Sequence, residues 1–282
     1  MRIAERRKAF TLRLLVQATA FVCRLKRSTQ HFSNRWAHNT FNEEPLFGLS
    51  SIRPKQDCVS YIRLKPSTRE VQAVLWDTNT RGEEPLTEPQ QGGLFIYDWS
   101  PDGKSILASA ENPRTGRTEV WQIPTDKVST GRQTWKLVAA RPSFDLFQAQ
   151  YLPNGRWIAF EGIQDSARGQ SAAIFLVAAS GGEWTQLTDG RSWDDKPHWS
   201  PDGRLIYFLS GRRGFYNVFY VPVDTEHGKT AGPPSQVTDF RDASLVVGRT
   251  IPSVEIGLSR HKLFVTTSQS TGGIWVLDPA NH

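Results

Sequence analysis

The feature that most limits how this chain folds is a corner that returns at a nearly fixed distance. Trp99-Ser100-Pro101-Asp102-Gly103, Tyr151-Leu152-Pro153-Asn154-Gly155 and Trp199-Ser200-Pro201-Asp202-Gly203 share one pattern: an aromatic, then Ser or Leu, Pro, Asp or Asn, and Gly. The prolines fix φ at the start of a turn, Asp102, Asn154 and Asp202 can bond their own backbone, and Gly103, Gly155 and Gly203 accept positive φ. Apolar residues alternate around each corner, over 97–109, 149–161 and 197–209, so the corner joins two antiparallel strands. Pro101 precedes Pro153 by 52 residues, and Pro153 precedes Pro201 by 48. A strand-rich unit of that period is the mark of a small sheet repeated along the chain.

The rest of each period fits the same plan. Residues 118–124, 173–178 and 217–222 supply a third strand, and 135–138, 184–188 and 235–238 a short fourth one. The third strands are apolar on both faces, as expected where sheets pack face to face around a ring. Two further repeats are eroded. Pro54 stands 47 residues before Pro101 and is followed by strand-like 71–76 and 84–87; downstream, 254–265 keeps the spacing without the Pro and Gly of the corner, and 273–278 supplies a third strand. Ten Trp and fifteen Phe against one Met agree with pleated, half-buried surfaces. The expected fold is all-β, a β-propeller of four-stranded antiparallel blades with about five repeats visible, either incomplete or six with an N-terminal contribution, and a strand from within 32–49 is the candidate to close the last blade.

The net charge of +6 is unevenly spread. Residues 1–36 carry nine basic side chains against the single carboxylate of Glu5, a net +8, which leaves the remainder at −2. The body therefore has no basic footprint for phosphates, so nucleic acid is not an expected partner and a membrane is one only through this arm. Ala18-Thr19-Ala20 has the small-x-small form of a signal-peptidase site, yet Arg13 and Gln17 interrupt the apolar run. Residues 1–40 thus read as a basic extension, either a leader or a helical or disordered arm, and 41–282 as the propeller. A periplasmic location follows if the leader is processed, and a cytoplasmic one otherwise. Cys23 and Cys58 have no CxxC spacing and no neighbouring His, and read as unpaired thiols.

Catalytic signatures are missing from the sequence. Gly48, Gly169 and Gly190 each begin a Gly-x-Ser-x-Gly elbow without the second Gly, and the phosphate-loop, kinase and dinucleotide patterns are absent, so no cofactor is expected. His198 with Asp194 and Asp195 is the most suggestive polar group, since a carboxylate beside an imidazole makes a general base or half a metal site. Its place in the repeat, a loop and first strand entering a blade, argues for turn shaping, and no catalytic or metal residue is assigned. Trp99, Trp199, Trp121 and Trp275 hold repeat-bound positions and read as core between blades; Trp193, in a connecting loop, is the one to test for ligand contact.

The aromatic-Ser-Pro-Asp-Gly corners, and the junction from Gln186-Leu187-Thr188-Asp189 to Gly203, resemble the Pro-Asp repeats of the TolB-like, WD40-like propeller family over residues 46–278. The resemblance implies the fold. It leaves function open, because such repeats occur in periplasmic TolB, in propellers preceding peptidase domains, and behind bacterial kinase or winged-helix domains; TolB has six blades and an added domain, where five repeats and no such domain are visible here. The expected role is a non-catalytic scaffold that binds a protein or peptide through loops near 91–98, 144–149, 192–197 and 249–253. Trp193, Asp194, Asp195, Lys196 and His198 are its candidate contact residues. The alternatives are a sensor module of a larger signalling protein, a TolB-like envelope protein, the accessory propeller of a peptidase or hydrolase, and a propeller lyase or glycosidase with carboxylates along the channel.

Overall fold

The computed structural model describes residues 51–52, 58–126, 131–166, 169–241, 245–247 and 256–269. Strands follow one another into antiparallel sheets in chain order. Blade 1 holds β1 (Ser51–Ile52), β2 (Cys58–Lys65), β3 (Glu70–Asp77) and β4 (Glu83–Pro85); blade 2 holds β5 (Leu94–Trp99), β6 (Ser105–Glu111), β7 (Thr118–Pro124) and β8 (Lys136–Ala139). Blade 3 holds β9 (Phe144–Tyr151), β10 (Trp157–Ser166), β11 (Gly169–Ala178) and β12 (Trp184–Gln186). Blade 4 holds β13 (Asp194–Trp199), β14 (Leu205–Ser210) and β15 (Asn217–Asp224); β16 (Lys229–Thr230) pairs with the far end of β15, and β17 (Ser235–Gln236) takes the fourth place. In blade 5, β18 (Leu245–Val247) pairs with β21 (Thr267–Gln269) and β19 (Ile256–Leu258) with β20 (Leu263–Val265).

The radial arrangement follows from which strands touch. The first strands β1, β5, β9, β13 and β19 each contact the next, while every four-stranded sheet runs outward from its first strand to its fourth. Side-chain alternation explains why such sheets cannot stand alone. In blade 3, Ile158, Phe160, Ala173, Phe175 and Val177 enter an apolar cluster shared with blade 2, and the intervening Ala159, Ile174 and Leu176 enter one shared with blade 4. Successive residues of a strand point to opposite faces, so a sheet apolar on both must be covered on both. Phe160 is fully buried, stacked on Phe175 at 5.7 Å and edge-on to Trp184 at 5.1 Å. Truncating such a side chain to Ala costs about 3–5 kcal/mol.

The corners close as their residues dictate. In the first and third, the Ser100 and Ser200 hydroxyls each donate to Asp102 or Asp202 at 2.6 Å. Each also accepts two backbone N–H groups, from Lys104 and Ser105 or from Arg204 and Leu205. Gly103 and Gly203 both sit at φ 72°, where a side chain is disfavoured. The middle corner lacks the hydroxyl. Leu152 fills the cluster shared with blade 4 instead, and Asn154 alone accepts the Arg156 N–H.

The Leu-Thr pair after a fourth strand proves equally regular. Thr87, Thr188 and Thr238 turn their hydroxyls to the N–H of Ala73, Ile174 and Val218 in the third strand of the same blade. Leu86 and Leu187, one residue earlier, are buried between that blade and the next. Trp99 and Trp199 lie in the same inter-blade clusters as expected, and Trp121 packs half-buried against one, edge-on to Trp135 at 6.2 Å.

Blade 5 departs from the expected register. Its corner is two residues tighter, closing from the Ser259 N–H to the Lys262 carbonyl where blade 2 closes from Ser100 to Ser105, and its pairing is divided between β18–β21 and β19–β20. Pro54, the closing strand expected within 32–49, the third strand expected at 273–278 with Trp275, the loop 249–253, Cys23 and the basic extension 1–40 lie outside the described residues.

Two stability outcomes follow. Ser200→Ala leaves the Leu205 N–H short of its acceptor at a buried site and removes the hydroxyl that donates to Asp202, and should cost about 1–3 kcal/mol in urea unfolding. Gly116 and Gly228 share nearly the same φ, 66° and 65°, but a Cβ on Gly116 meets open space while one on Gly228 collides with the Trp157 ring, whose Nε1–H donates to the Thr225 carbonyl at 2.7 Å. Gly116→Ala should therefore cost about 1–2 kcal/mol from the left-handed backbone alone, and Gly228→Ala distinctly more. Equal losses would show that blade 4 does not latch onto Trp157.

Candidate functional site

The innermost strands bring together the polar residues that a site would use. Those of blades 2, 3 and 4 bend at a bulge: pairing slips between Ile96 and Asp98 in β5, opposite Ala159 and Glu161 of β10 in blade 3, and between Asp195 and His198 in β13. Gln148 and Lys196 occupy the bulges of blades 3 and 4 at φ 57° and 56°. Bulges re-aim the side chains around them, and here they recur at one level of the ring.

In β13 the structure places Asp194, Asp195 and Lys196 in the interior, at 0, 6 and 4 % exposure. They form no open loop, because pairing with β14 already begins at Asp194 opposite Ser210. Asp194 accepts a hydrogen bond from Arg212 Nη2 at 2.8 Å, and Arg212 Nε–H donates to Ser210 Oγ at 3.0 Å. The guanidinium lies over the rings of Phe208 and Phe219, 5.5 and 5.1 Å from their centroids. Burial raises the Asp194 carboxyl above its ordinary range, against the pull of Ser210 and Arg212. Trp193 and His198 remain half-buried; the Trp193 Nε1–H donates to Asp195 at 3.1 Å, and Trp193 forms a parallel bridge to Ala172 of blade 3. Of the five expected contact residues, these two keep accessible surface.

Burial and the Lys196 charge lower the His198 pKa to about 4, which keeps its imidazole neutral at physiological pH. Asp98 holds the equivalent position in blade 2. Its carboxylate accepts the N–H of Trp99 and, across the seam, the N–H of Tyr151 in blade 3, both at 2.9 Å. Burial nevertheless pushes its pKa up to about 6. Asp98 thus joins two inner strands, and its chemistry is that of a seam. Phe95 of blade 2 and Phe147 of blade 3 meet edge to face, their ring centroids 5.9 Å apart.

Sequence reasoning missed Arg212, which comes from the turn between β14 and β15, and the exposed Phe215 at 36 % in that same turn. Nothing local signals the Arg212–Asp194 pair, whose members are 18 residues apart and meet only through strand register. Among the described residues no group of three or more His, Cys, Asp or Glu is placed to hold a metal ion, and no helix is long and apolar enough to cross a membrane.

Asp98 and His198 act on stability in opposite senses. Asp98 binds its proton more tightly folded than unfolded, at about 6 against 3.8, so its contribution grows as pH falls through that window. His198 binds its proton less tightly folded, at about 4 against 6.5, so its contribution is complete above 6.5 and drains away on acidification. Urea midpoints followed down from neutral pH should fall more steeply in Asp98→Asn than in the wild type, and less steeply in His198→Gln. Parallel profiles for all three proteins would refute this assignment.

No family model matches the chain. An uncharacterized protein of Agrobacterium fabrum is 32% identical over 125 residues, which is 44% of this chain and 39% of that protein. TolB from Acinetobacter baumannii superposes with a TM-score of 0.55 at 20% identity, over 80% of this chain and 52% of that one. The β-propeller domain of the Trilobed protease from Pyrococcus furiosus, which has an open velcro topology, superposes with a TM-score of 0.54 at 10% identity, over 80% of this chain and 66% of that one. The chain spans less than two thirds of each of these proteins, and likeness at such identity carries the fold rather than an activity. By its recurring corners, its outward-running sheets and these neighbours, the chain is a β-propeller of the TolB-like fold.

Proposed function

We propose that this propeller is a non-catalytic scaffold that holds a protein or peptide partner on the face where its fourth-to-first connections and second-to-third turns emerge. The observation that carries the reading is the turn between β14 and β15. It presents Arg213 and the 36 %-exposed Phe215 to solvent, while Arg212 behind them anchors the turn to the first residue of β13. An exposed aromatic beside an arginine, on a turn fixed to a rigid sheet, is the composition that interface anchors favour. Trp193, half-buried on the connection into β13, belongs to the same face. The non-catalytic half of the reading is supported by the engagement of the inner carboxylates, Asp98 with two backbone N–H groups and Asp194 with Arg212.

A second reading, the accessory propeller of a peptidase, is favoured by the likeness to the propeller domain of the Trilobed protease. The two are separable. The wild-type chain and a variant carrying Arg213→Glu and Phe215→Ser, both at exposed positions, should have equal urea midpoints. In pull-downs from the source organism's lysate, the variant should recover a small fraction of the wild type's specific partner. Equal recovery would contradict the assigned face. Turnover of a peptide or glycan by the purified chain, abolished by Asp98→Asn or Asp194→Asn, would contradict the scaffold reading itself.

A further inference from the structure

Successive strands of a blade run antiparallel, so the first-to-second corners emerge on the face opposite the second-to-third turns and the Arg213–Phe215 surface. Consecutive corners touch. A Cβ built on Gly155 would lie 3.5 Å from the Pro101 ring, and one built on Gly203 would lie 3.8 Å from the Pro153 ring. Because each corner joins the innermost strand of its blade to the next, the corners form a contiguous band around the mouth of the ring on that face. The residue after each corner glycine is an exposed cation: Lys104, Arg156 and Arg204. Blade 5, whose β19 packs against β13, adds the exposed Arg260 and Lys262 at its own corner. Among the described residues none of these five side chains has a hydrogen-bond or ion-pair partner; Lys104, Arg156, Arg204 and Lys262 bond within their corners through backbone groups alone.

The corner carboxylates do not cancel this charge. Asp102 and Asp202 turn back on their own corners, each accepting a serine hydroxyl and the N–H of Lys104 or Arg204, and these bonds hold both carboxyls below their usual range. The corners of blades 3 and 5 carry no carboxylate, since Asn154 stands where its siblings have Asp. With His261 neutral, residues 101–104, 153–156, 201–204 and 259–262 together hold a net +3. Farther from the axis on the same face the sign changes: the third-to-fourth connections 77–83, 179–183 and 224–230 are each net −1, and only 125–135 in blade 2 is net +1. We infer that the corner-side mouth is a docking site for an extended acidic peptide segment of a partner protein. Clustered arginine and lysine recognise such segments, and a concentrated charge of one sign steers them in. Charge also limits the partner's shape. A bilayer or a nucleic-acid duplex laid across the whole face brings its phosphates against the outer carboxylates, whereas a single extended chain stays within the basic band. This site lies on the face opposite the partner surface proposed above, and each stands if the other fails.

The test follows the fluorescence anisotropy of a short rhodamine-labelled peptide of alternating Glu and Gly, titrated with the full chain beside a counterpart carrying Gln for Glu. The Glu peptide should bind saturably and the Gln peptide should not, and raising salt from about 0.05 to about 0.2 M should weaken the Glu peptide about tenfold, because exposed charges are screened. Arg156→Glu with Lys262→Glu, at the two corners that lack a carboxylate, should lower the affinity about tenfold or more, since each reversal turns attraction into repulsion. Arg69→Glu with Arg114→Glu, at exposed positions on the opposite face, makes the same change in net charge and should leave the affinity within about twofold. Urea midpoints of both double variants should match the wild type. Arg156→Gln, which removes one charge and adds no repulsion, should weaken binding in the same direction and keeps the test valid if the double reversal destabilises a corner. Equal binding of the two peptides, equal losses in the two double variants, or tighter binding of duplex DNA or phosphatidylserine vesicles than of the Glu peptide overturns the site.

Discussion

The sheets of blades 2, 3 and 4 are apolar on both faces, and the structure depends on that one constraint. A sheet with one wet face can end a fold. A sheet such as blade 3, which sends Ile158 and Phe160 one way and Ala159, Ile174 and Leu176 the other, needs a neighbour on each side. Strands twist, and the first strands lie closest to one another, so repeated face-to-face packing runs round an axis rather than along a line. The seams, not the sheets, are thus the units of stability, and ties such as Asp98 to the Tyr151 N–H and Trp157 to Thr225 cross them.

What was legible in the sequence was local. The corners could be read because Pro, Asp and Gly state their backbone requirements within a few residues, and the serine that completes the corner was there to be seen as well. The third strands were legible because a run such as Ala173 to Ala178 is apolar without a break. The Leu-Thr junction could be aligned but not explained from sequence, since its hydroxyl bond reaches back 14 residues to the third strand, from Thr188 to Ile174. Blade 5 misled because its corner lacks Pro and Gly and is two residues shorter, so equal spacing concealed a different turn.

The candidate site was less legible for the same physical reason. Whether Asp194 is an accessible ligand or a buried counter-ion depends on where pairing with β14 starts and on an arginine 18 residues away. The repeat also hides its exceptions. One inner position is Asp98 in blade 2, Gln150 in blade 3 and His198 in blade 4; Asp98 takes a neighbour's N–H, the carbonyl of Gln150 accepts the Trp199 Nε1–H at 3.3 Å, and His198 sits neutral beside Lys196. An identical backbone thus carries three chemistries, and position in the repeat alone assigns none.

The central claim, radial packing of the sheets, is open to a direct distance measurement. With Cys23 and Cys58 replaced by Ser, one pair of spin labels at Phe95 and Phe147 marks the inner strands of blades 2 and 3, and another at Leu137 and Thr185 marks their outer strands. Electron-spin distance measurements should give a clearly shorter separation for the inner pair than for the outer pair. Equal separations would mean sheets stacked in parallel layers, and a longer inner separation would mean that the first strands do not face a common axis.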